Sequence, residues 1–236
     1  MIFKEGLKGK KNILYIPKKI IYSIQFRRKN PDYFYPSGTL IFCGPQGSGK
    51  TLSAINYIIK IAHDYPKSIL CTNTNIEKSF LPENYTVVPY MGLDSLKEIN
   101  NGQKGVIYFI DEIQLELNSL ESKNIDIDII TEISQQRKQR KHIIGTSQVY
   151  MRMAKPLREQ VRDIVLCRNY FGIFQVNKLI DGFESHEENG KLNACVRSRF
   201  LWLHDTKLYD AYDTYAKMKR YNDEWQGRKR GEYYAG

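Results

Sequence analysis

Eight residues, Gly44-Pro45-Gln46-Gly47-Ser48-Gly49-Lys50-Thr51, separate an apolar run from an amphipathic one, and they constrain this chain more than any other feature. Before them, Thr39 to Cys43 is short and apolar enough for a buried strand. After them, Leu52, Ile55, Ile58, Ile59 and Ala62 recur at the spacing of a helix with one buried face. Strand, glycine-rich turn and helix in that order are the unit of an α/β fold with a mostly parallel central sheet flanked by helices.

The remaining pattern agrees with that class. Ser68 to Cys71 and Thr86 to Pro89 read as short strands, with a polar loop from Thr72 to Asn84 between them. Val106-Ile107-Tyr108-Phe109-Ile110 is continuously apolar, as expected of a central strand covered on both faces, and Asp111-Glu112 ends it. Ile125 to Lys141 carries apolar residues at 125, 129, 130 and 133 and then turns basic, which predicts a helix with an exposed second half. His142 to Thr146 is the next strand, tipped by Ser147 and Gln148, and Val161 to Cys167, Phe171 to Val176 and Cys195 to Leu203 follow. A last helical run is expected from Thr206 to about Tyr221, before a basic tail.

The expected organisation has three parts. Residues 1–36 form a basic, aromatic N-terminal arm laid on the core, in which Pro31 and Pro36 break long regular elements. Residues 37–178 form the core. Residues 179–236 form a small C-terminal extension with an aromatic helix and the tail. At 236 residues one main core is the default.

Charge narrows the partners. The chain has 36 Lys and Arg against 26 Asp and Glu, a formal charge of +10, which favours a polyanion. Lys8 to Lys29 contains eight basic residues and no acidic one, and further basic residues cluster at Arg137 to Lys141 and Arg228 to Arg230. Cys43, Cys71, Cys167 and Cys195 are widely spaced, with neither a close pair nor zinc-site spacing, as in a reducing compartment. No apolar stretch approaches the roughly 20 residues of a membrane-spanning helix, and the N-terminus lacks the order of a signal peptide.

The glycine turn satisfies the spacing G-x-x-x-x-G-K-[ST] in full. Its glycines let the backbone curl around a phosphate with N–H groups inward, while the helix that begins near Lys50 adds unpaired donors and its dipole. All eight residues from Gly44 to Thr51, including Pro45, Gln46, Gly47 and Ser48, are therefore candidate contacts for ATP. Lys50 is placed to reach the β and γ phosphates and Thr51 to hold Mg²⁺. Asp111, at the tip of a central strand, is the second candidate metal ligand. Glu112 is the candidate general base, since adjacent carboxylates divide metal holding from water activation. Gln148, at the end of the following strand, is placed to sense the γ phosphate or the attacking water. Arg137 and Arg140, on one side of the expected helix, are candidates for stabilising transition-state charge in a neighbouring subunit, and Arg152, Lys155 and Arg158 form a second basic set.

Taken together, "LIFCGPQGSGKT", "VIYFIDEIQLELNS" and "QQRKQRKHIIGTSQ" resemble the FtsK/HerA superfamily of P-loop ATPases, in particular its viral members: zonular occludens toxin-like assembly ATPases and phage DNA-packaging ATPases. The resemblance spans about residues 38–170, and "LWLHDTKLYDAYDTYAKM" extends it toward the zonular occludens toxin-like group. It implies a RecA-like core in a ring of five or six copies, driving double-stranded DNA through its centre, with an arginine from one subunit completing the next site. On that resemblance Gly44, Gly49, Lys50 and Thr51 are Walker A residues, Asp111 and Glu112 Walker B residues, Gln148 the glutamine after the next strand, and Arg137 or Arg140 the trans-acting arginine. Filamentous-phage assembly members carry a membrane span after the ATPase domain. Its absence here favours a motor packaging a phage genome, in the host cytoplasm and transiently docked on the portal of a procapsid. The alternatives are an assembly, secretion or DNA-transfer ATPase, a small-molecule kinase, which the acidic pair and Gln148 speak against, and a non-catalytic ATP-gated DNA-binding protein.

Overall fold

The computed structural model describes residues 10–116, 127–188 and 191–212. It divides the chain into two compact units, residues 1–33 and 34–236. In the first unit, α1 (Lys10–Lys29) is a helix of 20 residues with Arg27, Arg28 and Lys29 in its last turn, where cations complement the helix dipole. It stops just before Pro31, as the restriction on residues preceding proline requires. Asn30 closes it by donating from Nδ2 to the Phe26 carbonyl at 3.0 Å. The regular element in this stretch is thus longer than Pro31 and Pro36 suggested, because both lie beyond its end.

The second unit is built on an eight-stranded sheet in the order β10-β7-β6-β1-β5-β4-β2-β3. Its strands are β1 (Gly38–Cys43), β2 (Ile69–Thr72), β3 (Thr86–Pro89), β4 (Val106–Ile110), β5 (Lys141–Ser147), β6 (Val161–Tyr170), β7 (Phe174–Asp181) and β10 (Val196–Leu203). From β6 to β3 all neighbours are parallel, whereas β7 and β10 fold back antiparallel. A separate hairpin pairs β8 (His186–Glu188) with β9 (Lys191–Asn193). This is a RecA-like P-loop NTPase core. The sheet runs through position 178 without interruption, since β7 crosses it and β10 pairs with β7.

Strand side chains alternate between two buried layers. Leu40, Phe42, Ile107 and Phe109 pack with Leu52, Ile55 and Ile58 of α2 (Lys50–Asp64), and Leu208 and Ala211 join them from the 3-10 helix Thr206–Ala211. Ile41, Cys43, Tyr108 and Ile110 face the other way, onto Ile129 and Ile133 of α4 (Ile127–Gln135) and Leu157 of α5 (Lys155–Arg158). The short helix α3 (Ser95–Glu98) adds Leu96 to that second layer. Covering on both faces explains why β4 is buried along its whole length. Burial also explains the cysteines: Cys71 and Cys167 have thiol pKa values pushed up to about 12, and Cys43 is raised further, so these three are protonated core residues.

Three further expectations are corrected. The helix predicted through Lys141 ends at Gln135, and Gln136 to Arg140 form a turn in which Arg140 has a φ of 59°. Arg137 and Arg140 therefore lie beyond the helix and do not share one of its sides, and neither does Lys141. Lys141 is the first residue of β5, with its ammonium buried against Glu132 Oε2 at 3.2 Å and the Leu96 carbonyl at 2.6 Å. The strand expected from Phe171 begins instead at Phe174, because Phe171 and Gly172 take positive φ values of 56° and 75° in the loop joining β6 to β7. Of the expected C-terminal helix, the described part is the 3-10 helix; the rest of that helix and the basic tail lie outside the described residues.

Candidate nucleotide site

Parallel strands carry successive loops to the same sheet edge, so the C-terminal ends of β1, β4, β5 and β2 converge. The glycine turn leaves β1 there and enters α2. Its cap is Gly49, at φ 77°, which offers no side-chain acceptor, so the first-turn N–H groups of a 15-residue helix are left for a ligand. A Cβ at Gly49 would lie 2.2 Å from Gln175 Oε1, and one at Gly44 would lie 2.5 Å from Ser48 Oγ. Glycine is required at both positions by space as well as by φ. Ser48 Oγ is buried without a hydrogen-bond partner among the described residues, and Lys50 Nζ donates to the loop's own Pro45 carbonyl at 3.1 Å. These features fit a phosphate chain.

Asp111 is held by four hydrogen bonds with three residues. Asn73, at the end of β2, donates from Nδ2 to the Asp111 carbonyl at 3.1 Å and accepts the Asp111 N–H on Oδ1 at 2.9 Å. Thr51 donates its hydroxyl to Asp111 Oδ1 at 3.1 Å, and Thr146 Oγ1 donates to the same oxygen. Burial raises the carboxyl's pKa, and the Thr146 and Thr51 hydroxyls oppose that shift. Because the Thr51 O–H points at Asp111, its oxygen lone pairs face elsewhere, as a Mg²⁺ ligand needs. Thr51 and Asp111 together fit a site that supplies few protein ligands and takes the rest from phosphate and water. Among the described residues no group of three or more His, Cys, Asp or Glu forms a separate metal cluster.

Glu112 follows in the left-handed region at φ 52°, a conformation uncommon for a non-glycine residue. Its N–H is held by Thr146 Oγ1 at 2.9 Å, and its Oε1 accepts from Gln148 Nε2 at 3.3 Å. The structure therefore brings Lys50, Thr51, Asp111, Glu112 and Gln148 together. It does not bring Arg137 and Arg140 there. They precede β5, whose other end reaches the site, so a seven-residue strand, about 20 Å long, separates them from it.

Three contributors were not among the sequence candidates: Asn73, Thr146 and Gln175. Polar residues at the C-terminal ends of buried strands were the available signal for the first two, in "CTNTN" and "IIGTSQ". Gln175 gives none, since it lies 127 positions from the loop residue that it touches.

No family model matches this chain, and no curated protein matches it. Among solved structures, the N-terminal domain of zonular occludens toxin from Neisseria meningitidis aligns with 75% of this chain and 100% of its own, at 18% identity and a TM-score of 0.50. B204, the DNA-packaging ATPase from Sulfolobus turreted icosahedral virus, aligns with 72% of this chain and 98% of its own, at 14% identity and a TM-score of 0.48. The genome packaging NTPase B204 from Sulfolobus turreted icosahedral virus 2, in complex with ATP-gammaS, covers 67% of this chain and 96% of its own, at 13% identity and 0.49. At these identities the likeness is one of fold, and it is in line with the resemblance read from the motifs. The chain has the P-loop NTPase fold, similar to that of the zonular occludens toxin N-terminal domain.

Proposed function

We propose that this protein is a Mg²⁺-dependent ATPase that uses hydrolysis to move double-stranded DNA, as a motor packaging a viral genome. The observation that carries the ATPase reading is the meeting of Thr51 with Asp111, and of Glu112 with Gln148, at the mouth of the glycine turn. ATP is the substrate, its β and γ phosphates taken by the loop N–H groups and by Lys50, which exchanges the Pro45 carbonyl for phosphate oxygens. Mg²⁺, when bound, would be held by Thr51 and Asp111 and would neutralise phosphate charge. Water attacks the γ phosphorus, its proton passes to Glu112, and the bond to the bridging oxygen breaks to release ADP. Gln148 orients Glu112 and the water from the end of β5.

The DNA part of the reading rests on the formal charge of +10 and on the resemblance of the three motif segments to those of phage DNA-packaging ATPases. Lysines and arginines that track phosphates give a grip independent of sequence and sensitive to salt. In this reading the chain works as a ring in the host cytoplasm and docks on a capsid portal. Arg137 or Arg140, remote from the site of its own subunit, serves the site of a neighbour.

The test is ATPase turnover of the full chain with and without linear duplex DNA, beside Glu112→Gln. The reading expects DNA-stimulated turnover in the unaltered chain, and nucleotide binding without turnover in the variant. Turnover that ignores DNA would remove the motor and favour an assembly or secretion ATPase, the alternative implied by the resemblance of the motif segments to zonular occludens toxin-like assembly ATPases. Undiminished turnover in Glu112→Gln would remove that residue from its role.

A further inference from the structure

The antiparallel strands β7 and β10 lie outside the conventional nucleotide-binding machinery, yet one of their side chains reaches the phosphate loop. Gln175, in β7, has no solvent exposure and makes three hydrogen bonds. Its Nε2 donates to the Ser48 carbonyl at 3.0 Å and to Asn177 Oδ1 at 2.8 Å, using both of its hydrogens. Its Oε1 faces His204 Nε2 at 3.0 Å, so His204 carries a proton on that nitrogen. His204 Nδ1 lies 2.5 Å from the Tyr209 hydroxyl, and the imidazole ring stands 4.9 Å from Trp202 between ring centroids. With its neighbours on both sides fixed, the Gln175 amide has one orientation that satisfies all of them.

The peptide joining Ser48 to Gly49 is planar and trans, so its C=O and N–H point in opposite directions. Gln175 pulls the carbonyl outward, toward β7. The N–H of Gly49 is thereby turned the other way, away from β7. Gln175 also fills the space that a side chain at position 49 would take.

We propose that Gln175 is a positioning residue for the phosphate loop. It presets the Ser48–Gly49 peptide with the N–H facing the nucleotide, and His204 locks the amide that does so. This rests on the ATP reading above, and it adds to that site a residue from the antiparallel part of the sheet. The consequence is preorganisation: without Gln175 the peptide must be ordered at the moment of binding, at the expense of affinity.

The experiment compares the unaltered full chain with Gln175→Leu, Gln175→Glu and Ser53→Ala. Ser53 accepts from Asn177 Nδ2 at 3.1 Å, so its loss damages the same polar chain without touching the Ser48 carbonyl. The readouts are Kd for a non-hydrolysable ATP analogue with Mg²⁺, KM and kcat for ATP, and thermal midpoint. Gln175→Leu should weaken binding about tenfold, equivalent to about 1.4 kcal/mol, and raise KM with kcat nearly unchanged. Gln175→Glu keeps the size but sets an acceptor against the Ser48 carbonyl, and it should weaken binding further. Ser53→Ala should lower the midpoint and leave Kd within about twofold. Unchanged Kd in both Gln175 variants would overturn the proposal, as would a loss in Ser53→Ala equal to theirs, which would mark the whole effect as one of stability. Failure of the unaltered chain to bind the analogue would instead remove the ATP reading, and this proposal with it.

Discussion

His142 provides a test of the fold around the central strand β5 that needs no ligand. Its ring is 4% exposed, with Nδ1 donating to the Gly38 carbonyl at 2.8 Å and Nε2 accepting from the Tyr57 hydroxyl at 3.2 Å. Both nitrogens are satisfied by the neutral ring. Burial holds the pKa down at about 4 against an ordinary 6.5, with the Gly38 carbonyl partly opposing the shift. The unfolded chain therefore binds this proton more readily than the folded one between those two values. Stability contributed by the neutral ring is complete above pH 6.5 and is lost as pH falls through 6.5 toward 4. From about pH 7.5 to about pH 5 the unfolded ring gains nearly a whole proton and the folded ring about a tenth of one. The difference amounts to about 2 kcal/mol of unfolding free energy.

The buried Asp111 carboxyl, whose pKa burial raises rather than lowers, contributes in the opposite direction as the pH falls. The informative quantity is therefore a difference: urea unfolding followed by circular dichroism, at both pH values, for the unaltered chain and for His142→Gln. The variant should start less stable and lose about 2 kcal/mol less on acidification. Parallel losses in the two proteins would refute the assignment of a buried, neutral ring at this position.

Three further substitutions address the site and its support. Gly49→Ala places a Cβ against Gln175 and a side chain at φ 77°, so it should cost at least about 1–2 kcal/mol in thermal unfolding and sharply weaken ATP-analogue binding. Thr146→Val preserves shape but removes the hydroxyl shared by Asp111 and the Glu112 N–H, and kcat in an ATPase assay should fall by at least about tenfold, or 1.4 kcal/mol, with the fold intact by circular dichroism. Glu132→Ala leaves the buried Lys141 ammonium with the Leu96 carbonyl but no counter-charge among the described residues, which should cost about 3 kcal/mol in urea unfolding.

The parts of this structure legible in the sequence are those in which a local pattern and a tertiary requirement coincide. Val106 to Ile110 reads as a buried strand because both of its faces are covered, and Asp111 is then placed by the strand's end. Lys50 and Thr51 are legible because the glycine spacing is itself the geometry of the loop. The basic run after Gln135 misled because charge carries no information on helix length. The last apolar anchor of α4 is Ile133, and Gln136 leaves the helical path to exchange hydrogen bonds with Thr39 Oγ1, Nε2 donating at 2.9 Å. Lys141 looked like part of a solvated face, but its partners, Glu132 and the Leu96 carbonyl, exist only once α3, α4 and β5 are packed. Asn73 and Thr146 showed in the sequence only as polar residues at strand ends, and Gln175 not at all, for the same reason: each acts on a residue distant along the chain, through contacts made by strand order.

Strand order also explains how Gln175 can reach the site at all. A parallel sheet alone brings the C-terminal ends of its strands, and what directly follows them, to the edge where the nucleotide is held, and these provide Lys50, Asp111, Glu112, Thr146 and Gln148. β6 runs parallel to β1, then turns back through Phe171 to Ile173, so β7 begins at that same edge and descends beside the phosphate loop. A side chain near the start of β7, pointing to the α2 side, has to meet the first turn of α2, and Gln175 is that residue. β10, paired with β7 from Phe174 to Ile180, brings Trp202 opposite Gln175 and His204 just past its own end. Arg197 ties this outer pair to β6 through Asp163, at 2.8 Å, and also bonds Asp181. Rigidity in the outer strands is thus transmitted to a peptide of the phosphate loop through a fully buried amide, and a change in those strands that leaves every Walker residue in place still alters the loop.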